Sequence, residues 1–72
     1  MSNNVESPVV GTVWKIQVAV GDTVSVGDEL IILESMKMEI PVEAETAGTI
    51  GSVDVAEGDP VNEGDALATI VI

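Results

Sequence analysis

The chain reads as an all-β domain, a sandwich or small flattened barrel built from two similar halves. Three observations predict this. Valine and isoleucine together supply 20 of the 72 residues, a vocabulary of stiff, branched side chains suited to a pleated sheet. Gly-Asp pairs punctuate the chain at 21–22, 27–28, 58–59 and 64–65, and no helical periodicity fills the stretches between them. Finally, the sequence repeats after 37 residues: 5–35 aligns without a gap to 42–72, with 12 of 31 positions identical. Two copies of one structural unit imply a pseudo-twofold axis.

Size and composition narrow the function. Seventy-two residues make one small domain, placed at 5–72, with 1–4 expected to be a disordered, frayed terminus. No apolar run nears the roughly 18 residues of a membrane-spanning helix. Met1-Ser2-Asn3-Asn4 has neither the basic nor the apolar region of a signal peptide, and a cytoplasmic location is expected. Cysteine is absent, so no disulfide or thiolate metal site staples the fold, and no metal is expected. Thirteen acidic against two basic residues give a formal charge of −11. Such a surface is repelled by nucleic acid and by anionic membrane and favours partners with a basic docking face.

The elements follow in chain order. In the first copy, Gly21-Asp22 and Gly27-Asp28 are read as turns between short strands. Glycine accepts positive φ there, and aspartate bonds back to its own backbone. Spread evenly, without the ligand clustering of a calcium loop, they do not read as metal sites. Next comes "ELIILESMKMEIPVEAE" (29–45). Beyond Lys37, the residues Met38, Ile40, Val42 and Ala44 alternate with Glu39, Pro41, Glu43 and Glu45, a half-buried strand with one polar face. Pro41 cannot donate to a ladder and belongs on an edge.

A hairpin with Met36-Lys37 as a two-residue loop sets Leu33 opposite Ile40 and Ile31 opposite Val42. A three-residue loop instead sets Ile32 opposite Val42 and Leu30 opposite Ala44. The first register is preferred, and it has two local costs. Tight hairpins favour residues such as Asn-Gly that accept positive φ, which Met-Lys does not supply. It also places Glu34 opposite Glu39. Turn chemistry satisfied at four Gly-Asp pairs and neglected at one hairpin points to function at that hairpin. Symmetry adds a position: the counterpart of Lys37 falls where the chain ends meet. The amine is expected at one pole of the domain, with both termini at the other. The second copy then repeats the first, with turns at 58–59 and 64–65.

"ESMKMEI" (34–40), midway between twin Gly-Asp halves, resembles the biotinyl/lipoyl-attachment domain family across residues 5–72. The resemblance implies a flattened barrel of two four-stranded antiparallel sheets related by a pseudo-twofold axis. It implies that Lys37 receives the cofactor covalently and that Met36 and Met38 are read by the attaching ligase. Glu34 and Ser35 complete the approach; alanine is commoner than serine at position 35. The Met-Lys-Met form is that of biotin acceptors, whereas lipoyl acceptors more often read Asp-Lys-Ala. With no thumb insertion before Gly21 and no Pro/Ala-rich linker, the chain resembles a free-standing member of the family.

The chemistry implied is as follows. A biotin-protein ligase activates biotin as an acyl-adenylate, and the Lys37 amine attacks it to form an amide. Lysine amines are protonated near neutral pH. With no histidine in the chain, the base belongs to the ligase. The biotinylated carrier then shuttles carboxylate between carboxylase and carboxyltransferase subunits, contributing presentation rather than catalysis. The alternatives are a lipoyl or dual biotin/lipoyl carrier for an oxo-acid dehydrogenase-type system, and an unmodified acidic β-module. The last leaves the ill-suited hairpin unexplained. A catalytic role is disfavoured because no nucleophile–base pair is present. Lys15, beside Trp14, is read as an ordinary exposed strand lysine.

Overall fold

The computed structural model describes residues 2–72 and folds them into eight β-strands, with no helix among the described residues. The strands are β1 (Ser2–Glu6), β2 (Gly11–Ile16), β3 (Thr23–Val24), β4 (Glu29–Ser35), β5 (Met38–Glu43), β6 (Gly48–Val53), β7 (Pro60–Val61) and β8 (Ala66–Val71). They form two four-stranded antiparallel sheets. One, the terminal sheet, has the order β1-β8-β6-β3; the other, the hairpin sheet, has the order β5-β4-β2-β7. A shift of 37 residues carries β2 onto β6, β3 onto β7 and β4 onto β8. The same shift carries the hairpin sheet onto the terminal sheet, strand for strand. The pseudo-twofold architecture expected from the repeat is the one observed.

The core follows the same symmetry. Val13, Val24, Leu30, Ile31 and Leu33 are buried, and so are their counterparts Ile50, Val61, Leu67, Ala68 and Ile70. Each half therefore supplies the same inward positions, and the two sheets close over one continuous apolar interior. Ser7 occupies the place of buried Ala44 and is only 2% exposed. Its hydroxyl donates to the Val9 carbonyl at 2.6 Å, which removes the penalty of an unpaired buried oxygen.

The four Gly-Asp pairs are turns, built alike. Gly21, Gly27, Gly58 and Gly64 have φ between 90° and 95°, where a Cβ would be strained. The Oδ2 atoms of Asp22, Asp28, Asp59 and Asp65 accept from the amides of Ala19, Ser25, Ala56 and Asn62 at 2.8–2.9 Å. Each aspartate closes its own loop, as an Asx-type turn does.

Two details depart from or refine the sequence reading. Residues 2–4, expected to be disordered, lie in β1, while Met1 is outside the described residues. Polar side chains do not prevent this, because the strand is held by a main-chain ladder: Ser2, Asn3 and Asn4 lie opposite Val71, Ile70 and Thr69. That ladder sets Ser2 opposite Val71 in the terminal sheet. The pair Ser2–Val71 there is the counterpart of Glu39–Glu34 in the other sheet. Pro41 lies on β5, an edge strand, where a missing N–H is tolerated.

Candidate functional site

β4 and β5 are joined by the two residues Met36 and Lys37. The register pairs Ile31 with Val42, Leu33 with Ile40, Glu34 with Glu39 and Ser35 with Met38. This is the preferred of the two registers, chosen by matched apolar partners on the core face. Its conformational cost is visible. Met36 has φ 52° and Lys37 φ 65°, the only positive values at non-glycine residues among those described. A left-handed backbone costs a residue with a Cβ about 1–2 kcal/mol. Both central positions of this primed turn carry that cost, which Asn-Gly would largely avoid.

The strain places three side chains at the tip. Lys37 is exposed, Met36 is 93% exposed and Met38 64%. Two thioethers left in water flank one amine, an arrangement that packing within this chain does not account for. The stem below is braced. The Ser35 hydroxyl donates to the Val10 carbonyl at 2.7 Å, tying the end of β4 to the loop before β2. Gly11 lies so close to β4 that a Cβ would collide with the Glu34 carbonyl oxygen. Pro8, Val9, Val10 and Glu63 form a shallow depression against Ser35 and Met36.

Glu34, Ser35, Met36, Lys37 and Met38 are therefore all in one hairpin, with Glu34 and Ser35 as its stem. The bond of Ser35 to Val10 and the close approach of Gly11 have no local signature, because each joins segments more than 20 residues apart. The repeat did hold a clue: Gly11 and Gly48 are equivalent, and Gly48 is pressed against Val71 in the same way. Lys15 sits in the body of β2, opposite Ile32, where a strand interior gives it none of the tip's access. An exposed primary amine on a braced two-residue turn is a fitting anchor for a covalently held acyl group, since it can enter another protein's active site without unfolding.

Residues 3–70 match the family described as "Biotin-requiring enzyme". The chain is a member of that family. Over 42 residues it is 48% identical to the Biotinylated protein TB7.3 homolog of Mycobacterium leprae, a match that covers 58% of this chain and 59% of that one. Over 32 residues it is 56% identical to the Biotin/lipoyl attachment protein of Bacillus subtilis, covering 44% of each. The matched stretches thus span about half the length of these relatives. Among solved structures, the urea carboxylase of Kluyveromyces lactis aligns with 99% of this chain and 6% of its own, at a TM-score of 0.93 and 39% identity. The likeness is to one small part of a large carboxylase. The two-sheet fold expected for the family is the one this chain adopts.

Proposed function

We propose that Lys37 is the residue on which biotin is carried, and that the loaded domain presents the cofactor to the active sites of a biotin-dependent carboxylase. The observation that carries this reading is the strained, braced turn of Met36 and Lys37 at the tip of the domain. The family's description and the biotinylated relative of Mycobacterium leprae favour biotin over lipoate.

In loading, the Lys37 Nζ, deprotonated by a group of the ligase, attacks the activated carboxyl carbon of biotin. A C–N bond forms, the adenylate leaves, and the lysine charge is lost. The formal charge of the chain goes from −11 to −12, because one +1 is removed. Met36 and Met38 supply polarizable apolar contacts for the ligase, while Glu34 and Ser35 fix the stem from which the amine projects. When bound, biotin supplies a ring that accepts and releases carboxylate. Everything the chain itself contributes is positional: it holds the arm's root on a braced stem and raises the cofactor's effective concentration at the partner sites. Partners on this reading are the ligase and the biotin carboxylase and carboxyltransferase components. The cytoplasm is the matching compartment, because adenylation draws on ATP.

The test is an intact mass of the protein purified from its native cell, with avidin capture, an anti-lipoate blot and peptide mapping of the modified residue. Biotin on Lys37 is expected. Lipoate on Lys37, or no adduct at all, would refute the biotin assignment.

A further inference from the structure

The two sheets share a backbone and a core, so the places where their outer faces differ are informative. In the hairpin sheet, Leu33 and Ile31 point into the core and the intervening Ile32 points out. Ile32 lies opposite Pro41 on one side. On its other side it faces a bulge, where Trp14 and Lys15 together oppose one residue. This row therefore reads Pro41, Ile32, Trp14 and Lys15, with Trp14 48% exposed. The equivalent row of the terminal sheet is Asn4, Thr69, Gly51 and Ser52. There the outward apolar residue is Val71, which leans over Gly51; its counterpart in the hairpin sheet is Glu34. One half carries three apolar side chains in this row, the chain's single aromatic among them, beside Lys15; the other carries one amide, two hydroxyls and a glycine.

The charges around the rows differ too. On the hairpin sheet the apolar row is bracketed by Glu34 opposite Glu39 and by Glu29 opposite Glu43, all four exposed. Like charges directly across a ladder are destabilising. The corresponding pairs in the terminal sheet are Val71 with Ser2 and Ala66 with Glu6, which have no such conflict. An apolar centre with a charged rim is the anatomy of a protein interface. Of the four flanking carboxylates only Glu29 accepts a side-chain hydrogen bond among the described residues, from the neutral Gln17 amide at 3.3 Å, so both flanks call for cations from the other side.

We propose that the outer face of the hairpin sheet is a docking surface for the biotin-protein ligase that loads Lys37, engaged through Trp14, Ile32 and Pro41 by an apolar patch with basic residues around it; this rests on Lys37 being the biotin acceptor. Before loading, the ligase has only protein to recognise. A specific interface covers about 800 Å² per partner, roughly a fifth of the 4250 Å² surface of this domain, and a two-residue tip cannot supply that area. The row begins four residues beyond the amine on β5, and both belong to one braced hairpin. A second copy of the chain is a poor occupant, because it would bring its own −11 and its own glutamate rim to the same face.

The repeat supplies the test variant: Trp14→Gly, Ile32→Thr and Pro41→Asn together install the residues that the other sheet carries at equivalent positions. Loading is measured with a purified biotin-protein ligase, biotin and ATP. KM for the carrier is expected to rise about tenfold, with kcat within twofold and biotin still on Lys37. As a variant that leaves the apolar row intact, Glu43→Gln is expected to raise KM about threefold at low salt and to flatten its dependence on ionic strength. Should the triple variant unfold, a Lys37→Arg chain labelled with 5-fluorotryptophan reports the face directly. Its single fluorine resonance, from Trp14, is expected to shift on adding the ligase. Wild-type KM in both variants, or a fluorine resonance that ligase does not move, overturns the docking surface while leaving the acceptor assignment intact. A wild-type chain that takes no biotin at Lys37 defeats the acceptor assignment instead. Sedimentation of a stable dimer that the triple variant dissolves would give the face to a second copy and also overturn the proposal.

Discussion

The four Gly-Asp turns and the Met36-Lys37 turn solve the same geometric problem in opposite ways. Each Gly-Asp turn places glycine where φ is positive and lets an aspartate close the loop. The hairpin turn asks two residues with side chains to adopt the same half of conformational space, with no side-chain bond of its own. Four turns are chemically suited to their backbone, and the fifth is suited to something outside the chain. Strain held at one site by a well-satisfied framework is the expected arrangement where a side chain must be displayed rather than buried. The bracing by Ser35 and Gly11 lets this small domain hold it.

Substitutions in the turns and in the strands below them test this contrast. The largest effect is expected from Lys37→Arg, which keeps a cationic side chain in the turn but removes the nucleophilic amine. Biotinylation is expected to fall to background by avidin blot, while Lys15→Arg leaves it at wild-type level. Biotin retained on the Lys37 variant would detach the strained turn from the function assigned to it.

Next come the glycines that let strands approach. Gly11→Ala and Gly48→Ala meet the same obstacle in opposite halves, a main-chain carbonyl of the neighbouring strand. Each is expected to destabilise the domain by about 1–3 kcal/mol in urea unfolding. Only Gly11→Ala, which moves the stem below Lys37, should also slow loading; equal slowing by both would show that stem position is unimportant.

The third step rewrites the turn. Met36→Asn with Lys37→Gly gives the fifth turn the chemistry its backbone prefers. Stability is expected to increase by about 1–2 kcal/mol, with all acceptor activity lost. A double variant no more stable than the wild type would mean that the turn is not strained. The smallest effect concerns the stem: Glu39→Gln removes the like-charge pair with Glu34 and is expected to stabilise by about 0.2–1 kcal/mol. The gain should shrink as salt is added, and thermal melts at two ionic strengths will show it.

Much of this was legible in the sequence, for identifiable reasons. The repeat carried the twofold architecture, and Leu33–Ile40 and Ile31–Val42 selected the hairpin register, because a slip by one residue would turn apolar side chains to solvent. Alternation is blind to bulges, however. Trp14 and Gly51 are the extra residues of two equivalent bulges, and nothing in the local pattern shows that the count of residues on facing strands differs there. β1 is hidden from the local pattern for a related reason. Ser2, Asn3 and Asn4 have poor strand propensity, and what holds them is a ladder to residues near 70 at the other end of the chain. The Ser35–Val10 bond is of the same kind, a contact that exists only once both segments are in place.

The pairing of Ser2 with Val71 also has a mechanical meaning. Cα atoms opposite each other in an antiparallel ladder are about 4.5–5.5 Å apart, so a pull applied through both ends acts on neighbouring points. It would open the β1–β8 ladder rung by rung, as a zipper opens, rather than shearing all its hydrogen bonds at once. The hairpin lies in the other sheet, outside that line of force. Tension on the ends is therefore relieved by peeling at the terminal edge, while the stem that holds Lys37 stays closed.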